Sequence, residues 1–409
     1  VDRFTALSPQ IKQYLIITGN YWAFTLTDGA LRMLVVLYFY QLGYSPLSIA
    51  MLFLFYEIFG VITNLVGGWL GARFGLNKTM NIGLALQIVS LAMLMAPVDT
   101  LTVIYVMAAQ ALSGIAKDLN KMSAKSAIKL LVPKDAQGQL FKWVAILTGS
   151  KNALKGVGFF LGGVLLTLLE FHGAMLIMIC MLTMVWLFSV FALKEDLGKA
   201  KNKAKFSELF SKSKAINVLS AARLFLFAAR DVWFVVALPV FLAATFAWDH
   251  WWVGGFMACW IIGYGIVQSF APYITNIMST GKKSVQVPCG RSAFLWASYL
   301  TAIPAIIALA LHFDFYIQAS VIIGLLIFGA VFAINSSLHS YLIVSLADSD
   351  GVSLDVGFYY MANAMGRLLG TVLSGWVYQQ HGLEACLWIS SCFIALAALL
   401  SLALPKSNQ

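Results

Sequence analysis

Eight bases and four acids sit inside stretches too apolar to hold charge without a reason. They are Asp28 and Arg32, Glu57, Lys117, Asp118 and Lys121, Lys151 and Lys155, then Arg223, Arg230, Asp231 and Arg367. A charge at the centre of such a stretch costs roughly 2.5–3.5 kcal/mol. Pairing every acid with a base leaves four cations over, so the chemistry on offer is electrostatic recognition of a polyanion. Arginine brings a planar fork of donors that suits phosphate and carboxylate, and lysine a compact point charge.

Depth sorts these residues. At 1.5 Å per helical residue, Arg32, Lys155, Arg230 and Arg367 lie roughly 15 Å inside their stretches, or close to it, which is too deep to snorkel. They are the expected ligands of anionic groups. Arg32 has a competing use as partner of Asp28, one turn earlier, and Arg230 as partner of the adjacent Asp231; Lys155 and Arg367 have no acid near them in sequence. Lys117, Lys121, Lys125 and Lys129 recur every four residues and mark one helix face. Lys125 and Lys129 are expected to snorkel from a helix end, while Lys117 and Lys121, with Lys151, would guide anions inward. Asn20, Tyr21 and Asn152 could hydrogen-bond cargo hydroxyls, although interhelical bonding is the commoner use of such residues. Asp28, Glu57, Asp118 and Asp231 would balance charge in the empty site or carry a coupling proton. His339 reads as a packed residue. There is no H-E-x-x-H, phosphate-binding loop or G-x-S-x-G, so catalytic residues, metal ligands and cofactors are not expected.

The elements that must position these charges follow from composition. The 409 residues are 61% hydrophobic and 11% charged, with mean hydropathy +0.85. A soluble domain is about 25% charged, so a soluble enzyme, a disordered chain and a fibre are excluded, leaving an all-α polytopic membrane protein. Crossing the hydrocarbon core takes about 20 apolar residues. Twelve stretches qualify, near 13–41, 47–71, 79–97, 101–123, 143–169, 174–193, 215–245, 252–278, 293–311, 315–345, 356–380 and 383–404. They are too continuous for barrel strands. Alternate loops hold Arg3, Lys12, Arg73, Lys78, Lys134, Lys142, the run Lys194 to Lys214, Lys282, Lys283, Arg291 and Lys406, while the other set holds no Lys or Arg. That asymmetry places both termini in the cytoplasm. The loop 346–355 departs from it, with Asp348, Asp350 and Asp355 and no base. No cleavable signal peptide is evident, and five cysteines without a C-x-x-C pair imply no disulfide framework.

The chain divides into two six-helix halves, 1–193 and 215–409, joined by a basic linker, 194–214. Gly158-x-x-x-Gly162 is echoed by Gly366-x-x-x-Gly370, and His172-Gly173 by His381-Gly382. The loop from Gly68 through Arg73 and Gly75 to Lys78 resembles the cytoplasmic signature G-x-L-A-D-R-x-G-R-K of the major facilitator superfamily, with Ala72 in place of the Asp. The resemblance implies that superfamily's fold, with a binding site near mid-membrane between the halves and transport by alternating access.

A finer resemblance lies in the runs 18–33, 112–133 and 149–160, which hold Asn20, Tyr21, Asp28 and Arg32, then the lysines 117, 121, 125 and 129, then Lys151, Asn152 and Lys155. These are similar to ArsJ-type organoarsenical efflux permeases. That resemblance implies a multi-pass protein of a bacterial inner membrane exporting 1-arseno-3-phosphoglycerate, with glyceraldehyde-3-phosphate dehydrogenase as the supplier of the substrate, and hence arsenate resistance. The expected partners are this small polyanion and membrane lipid, with no nucleic acid, and the expected state is a monomer. Alternatives from the residues alone are an organophosphate:phosphate antiporter or another organic-anion transporter of the superfamily.

Overall fold

A computed structural model describes residues 8–44, 52–133, 136–193, 197–199, 213–248, 250–279 and 287–405. Arg3, Lys134, Lys282, Lys283, Lys406 and nearly all of the linker 194–214 lie outside the described residues. The described chain is helical, with no strand. The helices are α1 (Pro9–Gln41), α2 (Leu54–Phe74), α3 (Leu76–Met93), α4 (Val103–Leu131), α5 (Gln137–Ala192), α6 (Lys214–Phe234), α7 (Ala237–Thr245), α8 (His250–Ser279), α9 (Gly290–His312), α10 (Ile317–Leu346) and α11 (Val352–Ser401).

Eight of the helices or helix pairs are long and apolar enough to cross a membrane. Two of these, α5 and α11, turn back on themselves. Glu170 (φ 58°) interrupts α5 and Gly382 (φ 73°) interrupts α11. In α5, Gly158 lies against Gly29 and Phe171 stacks on Tyr38, so its first segment runs parallel to α1; Ser189 then meets Asn20, so the second segment runs back. In α11, Gly366 and Gly370 follow Leu224 and Ala228, after which Ser390 bonds the Ala229 carbonyl and Phe393 lies on Phe225. Split at these turns, and with α6 and α7 counted as one pass, each of the twelve expected stretches falls on one helical segment.

The two G-x-x-x-G runs do the same job. A β-carbon on Gly158 would come 2.8 Å from the Leu26 carbonyl oxygen, one on Gly162 2.5 Å from that of Ala30, and one on Gly370 2.7 Å from that of Ala228. Only glycine permits backbones this close, which matters where lipid gives helices no hydrophobic reason to associate.

One expected continuous stretch, 215–245, is broken at Val235 and Val236. The freed backbone N–H groups of Val236 and Ala237 donate to Ser374 Oγ at 3.2 and 3.1 Å. Irregular backbone survives at membrane depth only where protein satisfies it in this way.

By compactness the chain forms two units. Unit 1 comprises Val1–Ala136, Leu154–Ser211 and Ala347–Met361; unit 2 comprises Gln137–Ala153, Lys212–Leu346 and Ala362–Gln409. The start of α5 thus packs with unit 2, where a β-carbon on Gly265 would meet the Gly149 carbonyl oxygen at 2.6 Å. The start of α11 packs with unit 1, where Ser353 Oγ donates to the Gly68 carbonyl at 2.7 Å and Gly357 lies against Gly68. Ala72, which replaces the signature's Asp, is buried against Leu354, so an apolar contact stands where a charge would. Unit 1 has a core around Phe24, Leu31, Leu34, Leu84, Leu91, Phe171 and Met175, and unit 2 one around Trp233, Trp260, Leu325, Phe328, Phe332 and Leu387. Ile104, Leu168 and Phe191 are more than two-thirds exposed, an apolar exterior that suits lipid.

Candidate functional site

In unit 1 the charges gather where α1, α2 and α4 meet. Asp28 is buried, and both its oxygens accept from the Tyr56 hydroxyl, at 2.8 and 3.1 Å. Arg32 pairs with Glu57 of α2 at 3.7 Å rather than with Asp28, and its guanidinium lies 5.0 and 5.5 Å from the Phe53 and Tyr56 rings. The competing Asp28–Arg32 pair read from sequence is therefore not formed. An i, i+4 spacing allowed it, but α2 supplies a better-placed acid to Arg32 and a phenol to Asp28. Lys117 Nζ lies 3.8 Å from the centroid of the Tyr56 ring.

Asp118 is buried between two lysines, with Lys121 Nζ at 2.6 Å and Lys117 Nζ at 3.9 Å. Lys125, expected to snorkel, is buried instead and lies 4.9 Å from the Tyr360 ring; Lys121 lies 4.6 Å from the same ring. Lys129 bonds the Ala347 carbonyl. The start of α11 covers this end of α4, so the Lys125 side chain does not reach outward as it would from an uncovered helix end. Lys155 is half-buried, level with Gly29 and hence with the Asp28–Arg32 turn of α1. Asn20 is buried and donates to Ser189 Oγ at 2.7 Å, which spends its amide between helices; Tyr21 is buried beside it on α1.

In unit 2 the cluster centres on Asp231, 1% exposed. Arg230 holds its Oδ1 at 2.5 Å, and Arg367 Nε lies 3.4 Å from its Oδ2. Arg367, without an acid in its sequence neighbourhood, thus finds one on α6. Arg230 also rests against the rings of Phe227, Phe332 and Phe234 at 4.9, 5.6 and 5.8 Å. Lys151 Nζ contacts Asn152 Oδ1 at 3.3 Å, and Asn152 donates to Gln268 at 2.6 Å.

Arg223 is one of the eight bases noted in the apolar stretches, but sequence reasoning gave it no role. It is buried, with its guanidinium 4.0 Å from the Phe227 ring. The signal was present: Arg223, Phe227 and Arg230 recur at i, i+4 and i+7, one face of α6. No group of three or more His, Cys, Asp or Glu that could hold a metal occurs among the described residues. The five cysteines are free.

Long apolar helices that hold charge deep among them are the pattern of an α-helical membrane protein. The Major Facilitator Superfamily model matches residues 17–353, and the chain belongs to that family: it is a multi-pass secondary transporter and not an enzyme. Among solved structures it is similar to the human organic anion transporter MFSD10 (TETRAN), with TM-score 0.74 and 14% identity over 97% of this chain and 100% of that one. It is also similar to the E. coli fucose:proton symporter FucP, with TM-score 0.73 and 10% identity over 96% and 98%. A bacterial homologue of the iron transporter ferroportin gives TM-score 0.72 and 12% identity over 95% and 98%. At these identities the likeness concerns the fold. No curated protein matches the sequence.

Proposed function

We propose that the chain exports an organic arsenate/phosphate ester polyanion, 1-arseno-3-phosphoglycerate, from the cytoplasm of a bacterium across its inner membrane, and so confers arsenate resistance. The observation that carries this reading is the cationic excess of each buried cluster. In unit 2 two guanidiniums, Arg230 and Arg367, share the carboxylate of Asp231, and on α4 Lys117 and Lys121 share Asp118. A cargo with two tetrahedral oxyanion ends supplies the opposing charge. Within unit 1, Arg32 and Lys155 are the proposed ligands of an anionic group; within unit 2, Arg230 and Arg367 are. Lys117, Lys121 and Lys151 draw it in.

The test is accumulation of enzymatically made, labelled 1-arseno-3-phosphoglycerate in everted membrane vesicles, with and without a proton gradient. Uptake that depends on the chain and needs no ATP is the expected result; no uptake overturns the reading. Vesicles preloaded with inorganic phosphate separate export from exchange, since an organophosphate:phosphate antiporter would be strongly stimulated by the preload.

A further inference from the structure

We infer that the Tyr56 hydroxyl is a positioning group: by occupying the Asp28 carboxylate it keeps Arg32 open to an incoming anion. This rests on the organic-anion reading above. Asp28 stands four residues before Arg32 on α1, the order and spacing in which an acid and a base pair along a helix. The acid is 6% exposed, and a buried carboxylate takes whatever donor it can reach. Left to α1 alone, it would take Arg32.

Tyr56 of α2 prevents this. Its hydroxyl donates to Asp28, 2.8 Å from Oδ1 and 3.1 Å from Oδ2, and among the described residues it is the one hydrogen-bond donor that Asp28 has. The ring of the same residue lies beside Arg32, whose guanidinium is 5.5 Å from its centroid and 5.0 Å from that of Phe53. Tyr56 thus holds the acid by its hydroxyl and seats the base on its ring. The acid that Arg32 does meet is Glu57, at 3.7 Å, beyond hydrogen-bond distance, and the two side chains of that pair are 31% and 30% exposed. An open pair of this kind is weak, and an anion arriving at Arg32 can displace Glu57 from it. A pair with buried Asp28 would be shielded from water and hard to open. Lys117 belongs to the same arrangement. Its Nζ lies 3.8 Å from the Tyr56 centroid, so one buried ring carries a cation from α1 and a cation from α4. Removing the hydroxyl leaves both cations their ring and takes away only the bond to Asp28.

The experiment reads Arg32 directly. The purified full-length chain is treated with phenylglyoxal, which modifies accessible guanidiniums. Modification of Arg32 is measured by peptide mass spectrometry against that of Arg291, exposed in the first turn of α9. Tyr56→Phe is expected to slow modification of Arg32 on the order of tenfold, the scale of one charge interaction at an effective protein dielectric. Adding Asp28→Asn should restore it. Equilibrium binding of labelled glycerol 3-phosphate should follow the same order, weaker in Tyr56→Phe and recovered in the double variant. A merely structural role for Tyr56 would loosen the cluster and make Arg32 react faster, not slower. Modification at the wild-type rate or faster, in a Tyr56→Phe variant that elutes as a single species, overturns the inference, as does a double variant that stays slow. Slowed modification with binding unchanged overturns it too, because Arg32 would then not serve the anion. Slowed modification that Asp28→Asn reverses, with a folded wild type that binds no glycerol 3-phosphate, upholds the restraint on Asp28 and sinks the organic-anion reading instead.

Discussion

Asp231 holds two guanidiniums that would otherwise face each other without a counter-charge in a low-dielectric interior. Breaking such a buried pair by removing one partner costs about 3–5 kcal/mol, more than the intact pair contributes. Because Arg230 and Arg367 retain some contact with solvent, we expect Asp231→Asn to cost near the bottom of that range, seen as a fall in thermal unfolding temperature of the detergent-solubilised protein. The double variant Asp231→Asn with Arg367→Met should recover much of the loss; no recovery would mean the aspartate acts through something other than these arginines. Arg32→Ala and Lys155→Ala should each abolish arsenate resistance in a sensitive host while leaving the amount of protein in the membrane unchanged. Full resistance in both would remove them from the cargo site. The charged residues of the candidate site stand out in the sequence, because an apolar chain exposes each misplaced charge. The pairings were not. Arg32 finds Glu57 and Arg367 finds Asp231 across helices, and no local spacing encodes which helices are neighbours.

The turns inside α5 and α11 carry the next scale. Glu170 takes φ 58° and ψ −178°, a region that is essentially the preserve of glycine and costs a side-chain-bearing residue about 1–3 kcal/mol. The matching reversal in α11 uses Gly382, at φ 73° and ψ −172°. Glu170→Gly should therefore stabilise the protein by about 1 kcal/mol once the greater freedom of glycine in the unfolded chain is discounted, and Gly382→Ala should destabilise it by a similar amount. Thermal unfolding of the two variants, measured side by side, should move in opposite directions; movement in the same direction would contradict the backbone account. The twelve helical stretches could be read from hydropathy because a span has to be apolar over its whole length. The break at Val235 could not, since the hydroxyl that makes it tolerable belongs to Ser374, far along the chain. The echoed His-Gly pairs pointed to both reversals but not to their residues: in α11 the glycine of the pair turns the chain, in α5 the turn falls on Glu170, ahead of His172.

For the whole molecule, the formal net charge of +10 divides into a share inside the helical stretches and a share in the loops between them. Lys and Arg in short loops set orientation, and acids contribute little. The acidic loop 346–355 is then no obstacle, and its geometry shows what its acids do. Asp355 accepts from the Asp348 backbone N–H at 3.1 Å, Asp348 accepts from that of Asp350 at 3.1 Å, and Lys129 of the basic α4 face bonds the adjacent Ala347 carbonyl. These carboxylates close a turn beside a lysine. The prediction is a topology. All five cysteines are free and arsenic in the proposed cargo is pentavalent, so their joint replacement by serine, with Ala at the buried Cys386, should leave transport largely intact. In that background a cysteine at Val98 or Phe315, both exposed in loops without Lys or Arg, should react with a membrane-impermeant maleimide added to intact cells. A cysteine at Arg291, exposed in the first turn of α9, or at Asp350, exposed in the loop after α10, should react only after permeabilisation. Labelling of Asp350→Cys from outside, with Arg291→Cys protected, would show that the acidic loop follows its own charge and that the orientation read from the lysines fails in this part of the chain.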